Sequence, residues 1–414
     1  MPTLHLPSDA EGVLPSQLLS EAIDSGVIEA DYKVRTEDIQ PASLDLRLGE
    51  TAYRIRCSFL PGSQAVEPKL KNNNYIIDEI DLRRDGAVLE TNRPYLIPLI
   101  EELNLPPNVR GRTNPKSSTG RLDVFTRVIT DYSDRFDEIA PGYQGKLYLE
   151  VVPLSFTVRV RHKLALNQLR LAVGTSVLTD EELRSVHAED PILFKSGRAV
   201  GADNLHTSGG LFLTLDLQGD ERGCVGYRAK DPAPLLDMAR TEAFRPTDYW
   251  EPVYREGDAA MVLAPGKFYL LLSEESIRIP PGYAAEMTAY DPTSGELRTH
   301  YAGFFDPGFG YDTHARFFGS RAALEVRAHD VPFMIEHDQR VCKLIFERMA
   351  MRPKVLYGED IGSAYQEQVD ALSKHFVRSP RAAGQGATDL EPYRDDQPDL
   401  FSSSRIRPSD VSPP

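Results

Sequence analysis

Three pairs of similar segments occur in the same order in the two halves of the chain, and this repetition limits the folds available to it. The pairs are PASLDLRLG (41–49) with LFLTLDLQG (211–219), KLYLEVVP (146–153) with AALEVRAHDVP (322–332), and PGY (141–143) with PGF (307–309). This alignment matches Asp45 with Asp216 and Glu150 with Glu325, at separations between 166 and 175 residues. Solenoid repeats are only about 20–50 residues long, so a period of this length indicates duplicated domains. We place the boundary near residue 200, which predicts domains over 1–200 and 201–378.

The residue pattern within the repeats is that of strands. In SFTVRVRH, Phe156, Val158 and Val160 alternate with polar residues, as in a half-buried strand. Proline and glycine interrupt such segments at short intervals, which favours a mainly β fold over a doubly wound α/β sheet. A few short helices are predicted: one between Pro15 and Gly26, and others near 179–188, 233–243 and 360–376. The polar, proline-rich residues 379–414 predict a disordered tail.

Composition excludes several classes of protein. The 414 residues carry a net charge of −15, which argues against nonspecific binding to nucleic acid or to anionic membranes. No apolar run reaches the roughly 18 residues of a membrane helix, and the N-terminus lacks the pattern of a signal peptide. Three widely spaced cysteines suggest neither a disulfide framework nor a metal knuckle. These features predict a cytoplasmic protein.

One short basic stretch is suited to phosphate. NPKSSTGRLDVF (114–125) combines hydroxyl groups, a glycine and positive charges, and Asp123 is the only acid between residues 110 and 127. The candidate phosphate ligands are Lys116, Ser117, Ser118 and Arg121. An ordinary surface turn with solvated bases is the alternative interpretation. The P-loop and the GxGxxG motif are absent, so a nucleotide would be held in another way.

Glu150 and Glu325 are the candidate catalytic residues. Each follows alternating apolar residues at or near a strand end, and a carboxylate in a partly dry pocket can act as a general base on water. A solvent-facing glutamate is the alternative for either residue alone, and recurrence in both repeats weakens that alternative. The HAE sequence at His187 lacks the PCxxC partner of a zinc deaminase, so His187 is predicted to be exposed near a helix end and no metal ligand is assigned.

Together these segments resemble the dCTP deaminase branch of the dUTPase-like superfamily, over most of residues 14–370 and in two copies. PASLDLRLG is similar to the opening of that family, and KSSTGR is similar to its RSSxGR phosphate motif, with Lys116 in place of arginine. THYAGFFDPGF (299–309) resembles its base-recognition loop, LEV at Glu325 its catalytic strand, and AYQEQ (364–368) its closing segment.

The resemblance implies a mainly β fold of two tandem dUTPase-like distorted β-barrel (β-clip) domains with a few short helices. It also implies hydrolytic deamination of dCTP to dUTP and ammonia, with Mg²⁺ bound alongside the triphosphate and no catalytic zinc. A glutamate would activate water for attack at C4 of cytosine. The implied base-binding residues are Ala302, Gly303, Phe304, Asp306, Tyr365 and Gln368. Trimer-based homo-oligomers are typical of the family, and feedback control would make dTTP a candidate inhibitor.

Each repeat departs from the family pattern in a different place. Repeat 1 keeps the phosphate motif but has a longer base loop, whereas repeat 2 keeps the base loop, Glu325 and the closing segment but lacks the paired serines. We therefore expect a composite site, with the phosphate motif from repeat 1 and the base pocket and Glu325 from repeat 2. The rival is a self-sufficient repeat 1 that uses Glu150.

Two other functions stay open at this level. A dUTPase-type triphosphate pyrophosphatase would use an aspartate of the base loop such as Asp306, and a bifunctional deaminase and diphosphatase is a variant of this alternative. A catalytically silent nucleotide-binding protein would bind dCTP without forming product.

Overall fold

Strands dominate both halves of the chain. The computed structural model describes residues 4–6, 10–72, 74–289, 297–299, 303–311, 318–328, 330–358, 365–366 and 370–378. Residues 1–377 gather into one compact unit. The predicted tail and the candidate residues Ala302 and Gln368 lie outside the described residues.

The first half contributes strands β1 to β13. Their bounds are β1 Gly12–Val13, β2 Ile28–Ala30, β3 Leu44–Arg47, β4 Thr51–Ile55, β5 Ile76–Asp81, β6 Ala87–Leu89, β7 Tyr95–Asn104, β8 Val109–Pro115, β9 Val124–Thr130, β10 Glu138–Ile139, β11 Gln144–Pro153, β12 Val158–Val160 and β13 Ala165–Val173. One sheet has the order β1-β13-β8-β10 with β3 beside β13, and a second has the order β5-β4-β7-β11-β9 with β2 beside β7.

The second half contributes strands β14 to β27. Their bounds are β14 Leu193–Lys195, β15 Arg198–Ala199, β16 Leu211–Thr214, β17 Cys224–Ala229, β18 Leu236–Asp237, β19 Trp250–Tyr254, β20 Ala260–Leu263, β21 Phe268–Ile277, β22 Tyr283–Ala289, β23 Leu297–Thr299, β24 Gly303–Phe305, β25 Ser320–Ala328, β26 Phe333–Glu336 and β27 Arg340–Arg348. Two sheets carry most of them, one ordered β15-β14-β21-β17-β19 with β25 beside β21, the other ordered β16-β27-β22-β24.

Helices are short throughout the described part of the chain. They are α1 Ser16–Asp24, α2 Val66–Asn72, α3 Ser117–Gly120, α4 Asp180–Glu189 and α5 Pro246–Tyr249, with 3-10 turns at Thr36–Asp38 and Ala202–Asn204. The predicted helices at α1 and α4 are confirmed, and Thr179 and Glu182 form the capping box of α4. The helix predicted over 233–243 is wrong, because this segment contains β18, which pairs with β12 of the other half. Residues 370–376 also lack the predicted helix. No helix among the described residues has the length and apolarity needed to cross a bilayer.

Six antiparallel strand pairs of the first half have counterparts in the second. The correspondences are β3–β13 with β16–β27, β4–β7 with β17–β21, β7–β11 with β21–β25, β9–β11 with β23–β25, β8–β13 with β22–β27, and β8–β10 with β22–β24. The register is preserved as well, since Leu96 lies opposite Glu150 and Leu270 lies opposite Glu325. Glu150 and Glu325 therefore occupy equivalent positions. The predicted domain boundary near residue 200 stays a prediction.

The sequence alignment of Asp45 with Asp216 is wrong by four residues. The backbone N–H of Arg47 donates to Glu101, and the backbone N–H of Thr214 donates to Glu275 in the same way, so Arg47 and Thr214 are equivalent. Asp45 lies two residues before Arg47, whereas Asp216 lies two residues after Thr214. A shift of four residues leaves the alternation of a strand unchanged, and the repeated Leu-Asp-Leu therefore gave a false match.

Candidate active site

A cavity of about 630 Å³ lies between the two halves. The first half contributes Asp45 and the loop 116–121, and the second contributes Glu325 and residues 303–306. Tyr357, Tyr365 and Lys374 also line it. Residues of both halves therefore line one cavity, and the composite site expected from the sequence stays a prediction.

The loop that contains the phosphate motif folds as one helical turn at the end of β8. The Lys116 carbonyl accepts hydrogen bonds from the N–H groups of Thr119 and Gly120, at 2.8 and 3.0 Å. The Lys116 ammonium forms an ion pair with Asp45. Burial raises the pKa of Asp45, whereas Lys116 lowers it. Asp45 Oδ1 is buried without a hydrogen-bond partner among the described residues.

Arg121 connects this loop to the C-terminal part of the chain. Its guanidinium lies 3.8 Å from the centre of the Tyr365 ring, and it donates to the carbonyl of Ala371 at 3.3 Å. The Arg121 side chain is buried. The cation–π contact therefore brings two of the predicted site residues, Arg121 and Tyr365, together at one wall of the cavity.

Glu325 lies on β25 with its carboxyl group against the loop 116–121, the phosphate loop. A Cβ atom built on Gly120 would lie 2.7 Å from Glu325 Oε2 and 2.8 Å from Oε1. The side chain is partly accessible to the cavity, yet the carboxyl group has no hydrogen bond or ion pair among the described residues. Removal from water raises the pKa of Glu325 to about 8, with Asp123 adding to the rise and Arg121 opposing it. A carboxyl group that lines a cavity and has a pKa near neutrality is suited to proton transfer.

The close approach at Gly120 gives a direct test of this geometry. We expect Gly120→Ala to lower the kcat of the reaction catalysed at this site by about 10²-fold. The new methyl group must displace the Glu325 carboxyl group by about an ångström. The melting temperature should change little, since only the end of a side chain has to move. Gly282→Ala is the matched control, because a Cβ atom at Gly282 has no neighbour within 4 Å. Unchanged kcat in Gly120→Ala would contradict the assigned position of the carboxyl group.

Asp306 is held by protein groups. Arg170 donates to Asp306 Oδ1 at 3.0 Å, and the Ser43 hydroxyl donates to Oδ2 at 3.3 Å. The Arg170 guanidinium also lies 4.0 Å from the centre of the Phe304 ring. Burial raises the pKa of Asp306, whereas Arg170 lowers it. Both oxygens of Asp306 are engaged, so this carboxylate positions the base loop more readily than it activates water.

Glu150 does not line the cavity, although it is equivalent to Glu325. It is fully buried and pairs with Arg127, which lies directly opposite on β9, at 2.5 Å. The Arg127 guanidinium in turn lies 3.7 Å from the centre of the Phe136 ring. This buried ion pair holds the Glu150 carboxylate between strands, away from the cavity.

The residues that resemble metal ligands form contacts within the protein. His187 is buried, and the prediction that it is exposed is wrong: Nε2 lies 2.6 Å from the Val200 carbonyl, and Nδ1 accepts from the Ile192 N–H at 3.2 Å. Among the described residues, only Asp216, Glu274 and His337 place their ligand atoms within 4.8 Å of one another, close enough to hold one metal ion. Arg321 pairs with Asp216, and the N–H of Leu217 donates to His337 Nδ1.

Sequence reasoning missed several residues at the site, of which three bear on its chemistry. Tyr357 and Lys374 line the cavity, and Arg170 holds Asp306. Lys374 lies in LSKHF, a short stretch in which no motif marks the lysine as a site residue. No local pattern indicates Arg170, because its partners are more than 100 residues away.

The fold and the cavity define an enzyme-like site in which basic side chains, hydroxyl groups and a carboxyl group line one cavity of a β scaffold. The model for the 2'-deoxycytidine 5'-triphosphate deaminase N-terminal domain matches residues 10–175, and that for the C-terminal domain matches residues 179–376. The chain belongs to the 2'-deoxycytidine 5'-triphosphate deaminase family.

Similar proteins carry names consistent with this family. A 2'-deoxycytidine 5'-triphosphate deaminase structure from Agrobacterium tumefaciens is 42% identical, with a TM-score of 0.79 over 85% of this chain and 100% of that one. The "dCTP deaminase, dUMP-forming" of Methanosphaera stadtmanae is 26% identical over 149 residues, which cover 34% of this chain and 67% of that protein. The "dCTP deaminase" of Glaesserella parasuis is 29% identical over 133 residues, which cover 31% and 66%.

Proposed function

We propose that this protein is a dCTP deaminase that hydrolyses dCTP to dUTP and ammonia. The observation that carries the proposal is the Glu325 carboxyl group, which faces the cavity beside the phosphate loop of the other half. Family membership supports the same reaction and the same substrate.

The assigned roles divide the cavity into two ends. Lys116, Ser117, Ser118 and Arg121 hold the triphosphate through charges and hydroxyl groups. Gly303, Phe304 and Tyr365 surround the base and sugar, with Ala302 and Gln368 assigned to the same pocket from sequence. The lining residues of this single cavity support a composite site.

Glu325 performs the proton transfers. Its carboxylate takes one proton from water as the oxygen attacks C4 of cytosine, which gives a tetrahedral intermediate. Protons then pass to N3 and to the departing amino group, the C4–N4 bond breaks, and ammonia leaves. The two protons of the water end on N3 and on ammonia, so the reaction balances as dCTP plus water giving dUTP plus ammonia. One carboxyl group can serve as both general base and general acid.

Mg²⁺ fits the phosphate end of the cavity. Hard divalent cations prefer carboxylate and phosphate oxygens, and Asp45 has a buried oxygen without a described partner on the cavity wall. We assign Asp45 to hold Mg²⁺ together with the triphosphate, where the ion would offset phosphate charge. We also propose a tandem duplication, a trimer-based homo-oligomer, cytoplasmic location and feedback inhibition by dTTP.

The test is an assay of dCTP turnover after chelation of zinc and restoration of Mg²⁺. We expect ammonia and dUTP in equal amounts. Formation of dUMP and pyrophosphate would instead favour the bifunctional reaction named for the Methanosphaera relative. Saturable dCTP binding by folded protein without product would show a silent nucleotide-binding protein and overturn the proposal.

A further inference from the structure

The C-terminal segment 370–378 is anchored beside the cavity. Phe376 is buried in a group of aromatic rings with Tyr249 and Trp250, at centroid distances of 5.4 and 6.1 Å. Ser373 and His375 are also buried. Aromatic pairs of this kind contribute beyond their buried area, so the segment has a fixed position.

Hydrogen bonds join this segment to the phosphate loop. The Ser373 hydroxyl donates to the Ser118 carbonyl at 3.0 Å, and it lies 2.8 Å from His375 Nδ1. His375 Nε2 lies 3.1 Å from the Met238 carbonyl. The segment therefore holds the loop that carries the candidate phosphate ligands.

Lys374 lies between these two buried residues and lines the cavity. Its electrostatic neighbours are Lys116 and Asp45, at the phosphate end of the cavity. No carboxylate lies within ion-pair distance of the Lys374 ammonium in the described part of the chain.

The other basic side chains on the cavity wall already have partners. The pairs are Arg35 with Asp38, Arg161 with Asp237, Lys116 with Asp45, Lys163 with the Tyr32 ring, and Arg121 with the Tyr365 ring. Lys374 is thus a partly buried positive charge that lines the cavity and forms no ion pair among the described residues. An anionic ligand would supply that counter-ion.

We infer that Lys374 binds the outer phosphates of the nucleotide and makes the site selective for triphosphates over monophosphates. Glu325 contacts Gly120 at one end of the phosphate loop, and Ser373, the neighbour of Lys374, is hydrogen-bonded to Ser118 of the same loop. The base must lie against Glu325, so the phosphate chain extends toward Lys116 and Lys374. Ser373 is a positioning residue that holds Lys374. This inference rests on the proposed function.

The experiment compares nucleotides of different phosphate length. Dissociation constants for dCTP, dCDP and dCMP with Mg²⁺ are measured by calorimetry on Glu325→Gln protein, in which turnover is expected to be slow, with and without Lys374→Met. We expect about 10- to 100-fold weaker dCTP binding and less than about threefold for dCMP, since a charge-assisted hydrogen bond is lost only with the longer ligand. Lys71→Met removes an exposed lysine and should leave all three constants unchanged.

Two further variants separate binding from folding. Lys374→Arg keeps the charge and should retain dCTP affinity within about threefold. Ser373→Ala should weaken dCTP binding less when Lys374 is already methionine, because both changes act through the same ammonium. Equal loss for dCTP and dCMP, or no loss for dCTP, would overturn the inference. Absence of dCTP turnover in wild type run alongside would instead count against the proposed function.

Discussion

Glu325→Gln is expected to lower kcat for dCTP deamination by about 10²–10⁴-fold and to leave dCTP binding nearly intact. Glutamine has almost the same shape but cannot exchange a proton with water at neutral pH. The carboxyl group has no described hydrogen-bond partner to lose, so the substitution should not destabilise the protein. Single-turnover assays of ammonia release, with calorimetry of dCTP binding, separate the chemical step from affinity.

Glu150→Gln is the matched control for this prediction, because Glu150 occupies the equivalent strand position in the other half. Glu150 pairs with Arg127, and loss of this buried ion pair should lower the stability of the protein. The kcat of the folded variant should stay within about threefold of wild type. The reverse result, with activity lost in Glu150→Gln and kept in Glu325→Gln, would move the chemistry to repeat 1 and contradict the composite site.

The sequence predicted the mainly β fold and two of the helices, and the structure confirms both. These predictions succeeded because alternation, turn residues and helix caps act within short stretches of chain. The equivalence of Glu150 and Glu325 was recoverable because similar segments keep the same order in both halves. The sequence could not show which of these two glutamates faces the cavity, because both follow the same alternating pattern. Glu150 instead pairs with Arg127, which lies on a neighbouring strand.

The wrong predictions have a common physical cause in tertiary contacts. Residues 233–243 have apolar residues compatible with a helix, but Leu236 and Asp237 pair with β12 and extend the chain. His187 becomes buried because Val200 and Ile192, outside its helix, satisfy both ring nitrogens. Local patterns carry no information about such partners.

The pH dependence of deamination should follow the ionisation of Glu325. The carboxylate is the form that accepts a proton from water, and its pKa in the free enzyme is about 8. Because kcat/KM reports groups of the free enzyme, it should rise with pH below 8 and level off above it. Between pH 6.5 and 9 we expect an increase of about 30-fold, the ratio of ionised fractions for one group with this pKa. A glutamate with an ordinary pKa would be almost fully ionised throughout this range and give a flat profile.

The residual activity of Glu325→Gln supplies the control for this profile, since its kcat/KM should lose the inflection near pH 8 while substrate ionisation is unchanged. A wild-type profile that falls as pH rises through 8 would require the protonated carboxyl group as the reactive form. The first step would then be proton donation to N3 of cytosine, with water activated only afterwards by the carboxylate so formed. The direction of the pH dependence therefore decides the order of the two proton transfers, because the same residue and the same pKa serve both sequences.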